Sequence, residues 1–182
     1  MRNTVIGVLI TITVICTILL ADRSMRINRH LPENSTETGN ILPVDVKFQT
    51  FASKETLTLD KFKGKVILLN FWATWCEACM AEMPSIQKLY VTLKDRGLEV
   101  VAVNVDDRPE RAVPLVIDKL HLTFPVYTDS DGELNRHFEV AALPYSVVVS
   151  RNQKIVWSEA GERDWASEKV ISEIRKLLDE KI

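Results

Sequence analysis

The chain has 182 residues, with 23 lysines and arginines against 25 aspartates and glutamates, so its formal net charge is −2. Charges of both signs are interspersed along the sequence, which does not favour a nucleic-acid-binding surface. Residues 41–182 are of the size of one ordinary domain with room for a hydrophobic core. We therefore predict a single folded domain that follows an N-terminal extension.

The N-terminal extension begins with an uncharged apolar run from Thr4 to Leu20. At about 1.5 Å per residue, a helix of this length just crosses the hydrocarbon core of a bilayer. The run is long for the apolar region of a signal peptide, and no clean cleavage site follows it. Residues 1–21 are therefore predicted to be an uncleaved transmembrane signal anchor, with a cleaved signal peptide as the alternative. Residues 22–40 are polar and are predicted to be a flexible linker.

Two short stretches near the start of the domain have the pattern of strands. Leu42–Phe51 alternates loosely between apolar and polar residues, and Glu55–Leu59 carries Thr and Leu at a period of two. A turn at Lys61–Lys65 follows them. These stretches are expected to cover one edge of a sheet.

The most informative stretch is Lys65–Pro84, with the sequence KVILLNFWATWCEACMAEMP. An apolar run rich in β-forming residues leads through a short turn to Cys76 and Cys79, which predicts a buried strand followed by a helix. At the helix N-terminus, the unpaired N–H groups and the helix dipole favour the thiolate form of Cys76. Cys79 lies one turn further on the same side of the helix, within reach of a disulfide. The pair is thus predicted to make and break a disulfide bond.

Two other interpretations of the cysteine pair are less favoured by the sequence. A structural zinc site needs two further ligands with comparable spacing, whereas the only other cysteine is Cys16 and the three histidines are scattered. An inert structural disulfide is disfavoured because the corner beside Trp75 is an exposed place for a bond that only holds a core. We predict neither a metal nor a cofactor.

Strands and helices alternate along the rest of the chain, as in α/β proteins. The predicted elements are a strand at Leu98–Val105, a helix within Asp106–Leu122, a strand at Phe124–Tyr127, a brief helix at Leu134–Phe138, strands at Ser146–Ser150 and Ile155–Ser158, and a last helix capped by Asp164.

The motif F-W-A-T-W-C-x-x-C after an apolar strand, with a proline downstream in the helix, resembles the thioredoxin superfamily. Within it, the wording LNFWATWCEACMAEMP is similar to the TlpA-like and ResA-like branch, the membrane-tethered thiol-disulfide oxidoreductases of bacteria. The resemblance covers Leu42 to the C-terminus. It implies an α/β thioredoxin fold, a central mixed sheet flanked by helices, with an N-terminal β-hairpin before the central strand and an inserted helix within Asp106–Leu122.

The resemblance also implies a substrate groove. Ala141–Tyr145 corresponds to the cis-proline loop, which faces the C-x-x-C motif in the superfamily. Pro144 is therefore expected to be cis, leaving the backbone of Leu143 free to pair with an extended substrate, and an ordinary trans-proline is the alternative. Trp75 and Glu77 flank Cys76 and complete the predicted substrate-binding set.

A third catalytic residue is expected on the same helix as the cysteines. Asn70 occupies the position of a buried Asp in ordinary thioredoxins, and an amide cannot accept the proton. ResA-like proteins have a Glu at the position of Glu82, three residues after Cys79. Glu82 is therefore predicted to be a proton relay for Cys79, and a solvated carboxylate on the helix face is the alternative.

The charges around the cysteines predict the direction of electron flow. Glu77 and Glu82 place negative charge near the thiols, which raises their pKa and weakens stabilisation of the thiolate. This favours a reductant, in which Cys76 attacks a target disulfide and Cys79 resolves the mixed disulfide. An oxidase or isomerase, or a non-enzymatic tethered module that presents an apoprotein or haem, are the alternatives.

The location and partners are implied by the resemblance alone. Arg23, Arg26 and Arg29 follow the apolar run, so the positive-inside rule taken alone points the domain inward. Related proteins instead display it on the extracytoplasmic side of the bacterial cytoplasmic membrane, which is our expectation. The resemblance further implies a membrane electron donor of the CcdA or DsbD type and apocytochrome c as a target, with protein disulfides as the substrate class.

Overall fold

The central strand of the sheet has a sequence that is apolar on both faces, and this explains its central position. The computed structural model describes residues 41–181, and within them seven strands form one mixed sheet in the order β2-β1-β5-β4-β3-β6-β7. The strands are β1 (Lys47–Thr50), β2 (Thr56–Thr58), β3 (Val66–Trp72), β4 (Leu98–Asn104), β5 (Val126–Thr128), β6 (Tyr145–Val149) and β7 (Ile155–Ala160). Every residue of β3 is buried, as expected for a strand with helices or loops on both sides.

Four α-helices flank this sheet in the part of the chain that is described. They are α1 (Glu77–Leu93), α2 (Pro109–Leu120), α3 (Glu133–His137) and α4 (Glu168–Asp179). Strands β3, β4 and β5 are parallel neighbours, and β6, β7, β1 and β2 pair antiparallel with their neighbours. The predicted mixed sheet, the N-terminal hairpin β1–β2 and the inserted helix α2 are confirmed.

The core lies on both faces of the sheet. Because successive side chains of a strand point to opposite faces, Leu68 and Trp72 pack with α1 and α4, while Leu69 and Phe71 pack on the other side. Asn70 shares the face of Leu68 and Trp72 and therefore lies on the side of α1. This alternation brings a polar residue of the central strand beneath the helix that carries the cysteines.

Two details of the prediction differ from the structure. The strand expected at Phe124–Tyr127 lies at Val126–Thr128. Asp164 was the wrong cap for the last helix, because its carboxylate accepts from Ala166 N in a turn that precedes the helix. The cap is Ser167, whose Oγ accepts a hydrogen bond from Val170 N.

The predicted transmembrane anchor at 1–21 and the linker at 22–40 lie outside the described residues. Within 41–181, no helix combines the length and the apolar character needed to cross a membrane.

The packing of α1 on the sheet gives a first testable prediction. Ile86 is fully buried in the core, so Ile86→Val removes one methylene and is expected to lower the free energy of unfolding by about 1 kcal/mol. Val91 lies on the same helix but is more than half exposed, so Val91→Ala is expected to change it by less than about 0.5 kcal/mol. Urea unfolding of the two variants checks this, and equal losses would contradict the described orientation of α1.

Candidate functional site

The cysteine pair lies at the point where the chain leaves the central strand and enters α1. Cys76 and Cys79 are joined in a disulfide, with their Cα atoms 5.2 Å apart, so the predicted ability to form this bond is confirmed. Cys76 is the N-cap residue of α1, and its Sγ accepts a hydrogen bond from Cys79 N at 3.1 Å. The solvent-exposed fraction is 8% for Cys76 and 0% for Cys79. Cys76 is therefore the sulfur that a substrate can reach, and Cys79 is the inner one.

The corner before Cys76 is held by the end of the neighbouring strand. Thr74 N donates to both carboxylate oxygens of Asp106, at 3.1 and 3.3 Å, and Cys76 N donates to Ala73 O. Asn104 in turn fixes Asp106. The side-chain amide of Asn104 donates to the Asp106 carboxylate and accepts from the Asp106 backbone N–H. Asp106 thus positions the loop that presents the cysteines, a role that its place after a predicted strand could have suggested.

A groove of about 490 Å³ opens beside Cys76. The predicted residues Trp75, Glu77 and Leu143 line it together with Cys76, and Trp75 is 73% exposed. The peptide bond between Leu143 and Pro144 is cis, as expected, but Pro144 itself is buried and does not line the groove, so its predicted place among the groove residues was wrong. The structure therefore brings Cys76 and three of the four predicted substrate-binding residues, Trp75, Glu77 and Leu143, to one surface.

Glu82 lies beneath this surface and is only 1% exposed, so the interpretation of Glu82 as a solvated carboxylate was wrong. Its Oε1 accepts from Asn70 Nδ2 at 2.7 Å, and its Oε2 accepts from Trp165 Nε1 at 3.1 Å and Arg163 N at 3.3 Å. Burial raises the pKa of Glu82 above its ordinary value, and the three hydrogen bonds offset part of that rise. A carboxyl group with a raised pKa can hold or release a proton nearer neutral pH than a surface carboxylate can.

Asn70 connects this carboxylate to the sheet. The side chain is fully buried, and its Nδ2 donates to Ser146 Oγ on β6 at 3.0 Å as well as to Glu82. Its Oδ1 is buried and has no hydrogen-bond partner within the described residues. Sequence reasoning noted both Asn70 and Glu82 but did not predict that they touch.

The segment between β7 and α4 supplies the partners of Glu82 that sequence reasoning missed. Trp165 is fully buried, and Arg163 lies over the rings of Trp157 and Trp165 while it pairs with Glu159. Ser85 ties this segment to α1, because its Oγ accepts from Trp165 N at 3.0 Å. Trp165 and Glu82 are about eighty positions apart, so short-range sequence patterns do not reveal their contact. The only local signal for this contact was a tryptophan in an otherwise polar stretch.

No group of three or more His, Cys, Asp and Glu side chains within residues 41–181 is arranged to hold a metal ion.

A mixed sheet, a cysteine pair at the start of the first helix and a cis-proline beside it define a protein of the thioredoxin superfamily. The chain belongs to the redoxin family, whose model matches residues 37–177, and the predicted resemblance to the ResA-like and TlpA-like branch is confirmed.

The relatives with similar sequences are named thiol-disulfide oxidoreductase ResA. The protein from Oceanobacillus iheyensis is 41% identical over 102 residues, which cover 56% of this chain and 53% of the relative. The protein from Halalkalibacterium halodurans is 32% identical over 124 residues, which cover 68% of each chain. The chain thus spans between about half and two thirds of the length of these relatives.

Solved structures agree on the fold. A crystal structure of a candidate thiol:disulfide interchange protein DsbE from Chlorobium tepidum matches with a TM-score of 0.69 and 27% identity, over 78% of this chain and 98% of that one. The thioredoxin domain of a thiol-disulfide oxidoreductase from Bacteroides vulgatus matches with a TM-score of 0.68 at 23% identity, over 80% of this chain and 100% of that one.

Proposed function

We propose that the protein is an extracytoplasmic thiol-disulfide oxidoreductase that reduces disulfide bonds in other proteins. The observation that carries this proposal is the geometry of the pair, with the outer sulfur of Cys76 on the groove and the inner sulfur of Cys79 one helical turn from the buried Glu82. The names of the relatives support the same chemistry.

The reaction starts from the reduced pair. The Cys76 thiolate attacks one sulfur of the target disulfide, so a mixed disulfide forms and the other target sulfur leaves as a thiolate, which takes up a proton. Cys79 then loses its proton to the Glu82 carboxylate and attacks Cys76 Sγ. The second target thiolate leaves and is protonated in turn. Two electrons pass from the pair to the target, and Cys76 and Cys79 end as the disulfide seen in the structure.

The electrostatics of the site support reduction rather than oxidation. Glu77 is an exposed acid in the first turn of α1, directly after Cys76, and it opposes the stabilisation of a thiolate by the helix N-terminus. Glu82 adds a second carboxyl group near the inner thiol. Weak stabilisation of the thiolate makes the reduced pair the better electron donor.

The cellular setting is part of the proposal. The apolar run at residues 4–20 supports a membrane anchor, and the family resemblance supports a thioredoxin domain held outside the bacterial cytoplasmic membrane. Once the cysteine pair has been oxidised outside the membrane, it must be reduced again with electrons from the cytoplasm. This need fits a membrane electron donor of the CcdA or DsbD type. Apocytochrome c, whose haem-binding cysteines must be reduced, is the proposed target.

Trapping of the target tests this proposal. Cys79→Ser leaves Cys76 able to attack but removes the resolving thiol, so the variant is expected to accumulate a covalent mixed disulfide with its target in cells. The adduct should disappear with dithiothreitol, and mass spectrometry of the released partner names the substrate. Cys76→Ser is the matched control and should trap nothing.

Two results would overturn the proposal. One is a double Cys76→Ser, Cys79→Ser variant that supports normal cellular function, which would point to a binding module. The other is a reduction potential of the pair close to that of strong oxidants such as DsbA, about −120 mV, which would reverse the direction of electron flow.

A further inference from the structure

A second cavity, of about 380 Å³, lies next to the groove at Cys76. It is formed where the parallel strands β4 and β5 end, the place at which open α/β sheets commonly bind ligands. Val105 and Asn135 line both this cavity and the groove. A substrate bound at Cys76 therefore has the second cavity as its immediate neighbour.

The lining of the second cavity is strongly acidic. It contains four carboxylates and one cation, which are Asp106, Asp107, Glu110, Asp129 and Lys54. The single cation is already engaged, because its Nζ lies 3.3 Å from Glu110 Oε1. Three carboxylates thus remain without a counter-charge among the lining residues, so the cavity favours a positively charged occupant.

A buried hydroxyl group in the wall independently points to a ligand. Thr128, the last residue of β5, lines the cavity and is only 4% exposed, yet its Oγ1 has no hydrogen-bond partner within the described residues. A buried polar group without a partner is costly, and native proteins rarely leave one. A donor that enters the cavity would satisfy it.

The two more buried carboxylates are fixed in place. Asp106 accepts from Thr74 N, and Asp129 accepts from the backbone N–H groups of Leu134 and Asn135 at 3.2 and 2.8 Å. A carboxylate offers about four acceptor positions, so each can accept further hydrogen bonds while it holds these. The wall is therefore organised before a ligand arrives.

We infer that this cavity is a specificity subsite for a lysine or arginine side chain of the polypeptide substrate, close in sequence to the cysteine that Cys76 attacks. The inference rests on the proposed function, since it describes which polypeptides the same groove selects. An ammonium or guanidinium group supplies both the positive charge and the hydrogen-bond donors that the wall lacks. A basic side chain is favoured over a bound metal ion because the described residues contain no cluster of metal-ligating side chains.

The test uses a pair of synthetic peptides with one internal disulfide, identical except for lysine or norleucine beside the first cysteine. The fully reduced protein is expected to reduce the lysine peptide with a kcat/KM about five-fold higher, and near 1 M salt should abolish most of this preference. Asp107→Asn should lower the ratio of the two rates. Lys54→Asn should raise it, because it removes the competing cation, and asparagine tolerates the positive φ of 56° at this position.

Asp118→Asn is the matched control, because Asp118 is an exposed carboxylate on helix α2, outside the cavity lining, and it should keep the wild-type ratio. Equal rates for both peptides with the wild-type protein would overturn the subsite while leaving the proposed reductase intact. Failure to reduce either peptide would instead count against the proposed function. A lysine preference that Asp107→Asn and Lys54→Asn leave unchanged would place the recognition elsewhere and also overturn the subsite.

Discussion

Glu82→Gln is expected to slow the resolution of the mixed disulfide by about 100-fold, the usual contribution of a positioned general base. The glutamine side chain fills the same space but cannot take the proton of Cys79. Attack by Cys76 on the target should be little affected, because Glu82 is buried below the groove and does not line it. The mixed disulfide should therefore accumulate in a single turnover, and acid quenching followed by mass spectrometry measures it.

The matched control for this experiment is Glu77→Gln. Glu77 carries the same charge on the same helix, but it is exposed and lies between the two cysteines. Its replacement should leave the resolution rate within a few-fold of the wild-type rate, since an exposed charge is well screened. Equal slowing by both substitutions would mean that general negative charge, and not proton transfer at Glu82, controls the step.

The raised pKa of Glu82 also affects the stability of the fold, and the Glu82→Gln variant should remove this effect. Between the ordinary carboxyl pKa of 4.5 and the raised value in the fold, the folded protein binds more protons than the unfolded chain. Its stability therefore falls as the pH rises through this window. The glutamine variant has no such proton, so this part of the pH dependence should be absent from its unfolding curve.

Local patterns were sufficient to predict much of this site. The apolar run of β3, the turn and the C-x-x-C spacing locate the cysteines at the start of a helix, because each depends on neighbours within about one turn. The cis state of Pro144 and the proposed role of Glu82 needed the family resemblance, since neither follows from periodicity.

The surroundings of Glu82 could not be predicted in the same way. The contact between Glu82 and Trp165 joins residues about eighty positions apart, and it depends on how the segment after β7 folds back over α1. The prediction of the α4 N-cap failed for a related reason. Asp164 and Ser167 are both good capping residues, and the choice between them is decided by the position of Trp165 against Ser85. Such choices are made by tertiary packing.

Asn70→Asp is expected to destabilise the oxidised protein by about 3 kcal/mol at neutral pH, although it restores the acidic residue that ordinary thioredoxins have at this position. The new carboxyl group would lie at the position from which Asn70 Nδ2 now donates to Glu82 Oε1 at 2.7 Å. Both side chains are buried, so two carboxylates in contact cannot both stay ionised. One of them must keep a proton, which it can donate to the other across the same short distance.

This shared proton fixes the sign of the pH dependence. Above about pH 5 the unfolded variant has lost both protons, whereas the folded variant retains one, so its stability should fall by up to about 1.4 kcal/mol for each unit that the pH rises. Urea unfolding of the oxidised protein at pH 5 and pH 8 measures this slope. The loss relative to the wild-type protein should be much smaller at the lower pH, where the wild-type Glu82 is also closer to its protonated form.

The double variant Asn70→Asp, Glu82→Gln separates charge from shape. It keeps the introduced aspartate but leaves a single ionisable group at the contact, so the steep slope should relax towards that of one buried carboxyl group. Identical slopes in the single and double variants would show that the introduced aspartate and Glu82 do not share a proton. In that case the 2.7 Å contact would hold α1 on β3 without coupling the two groups.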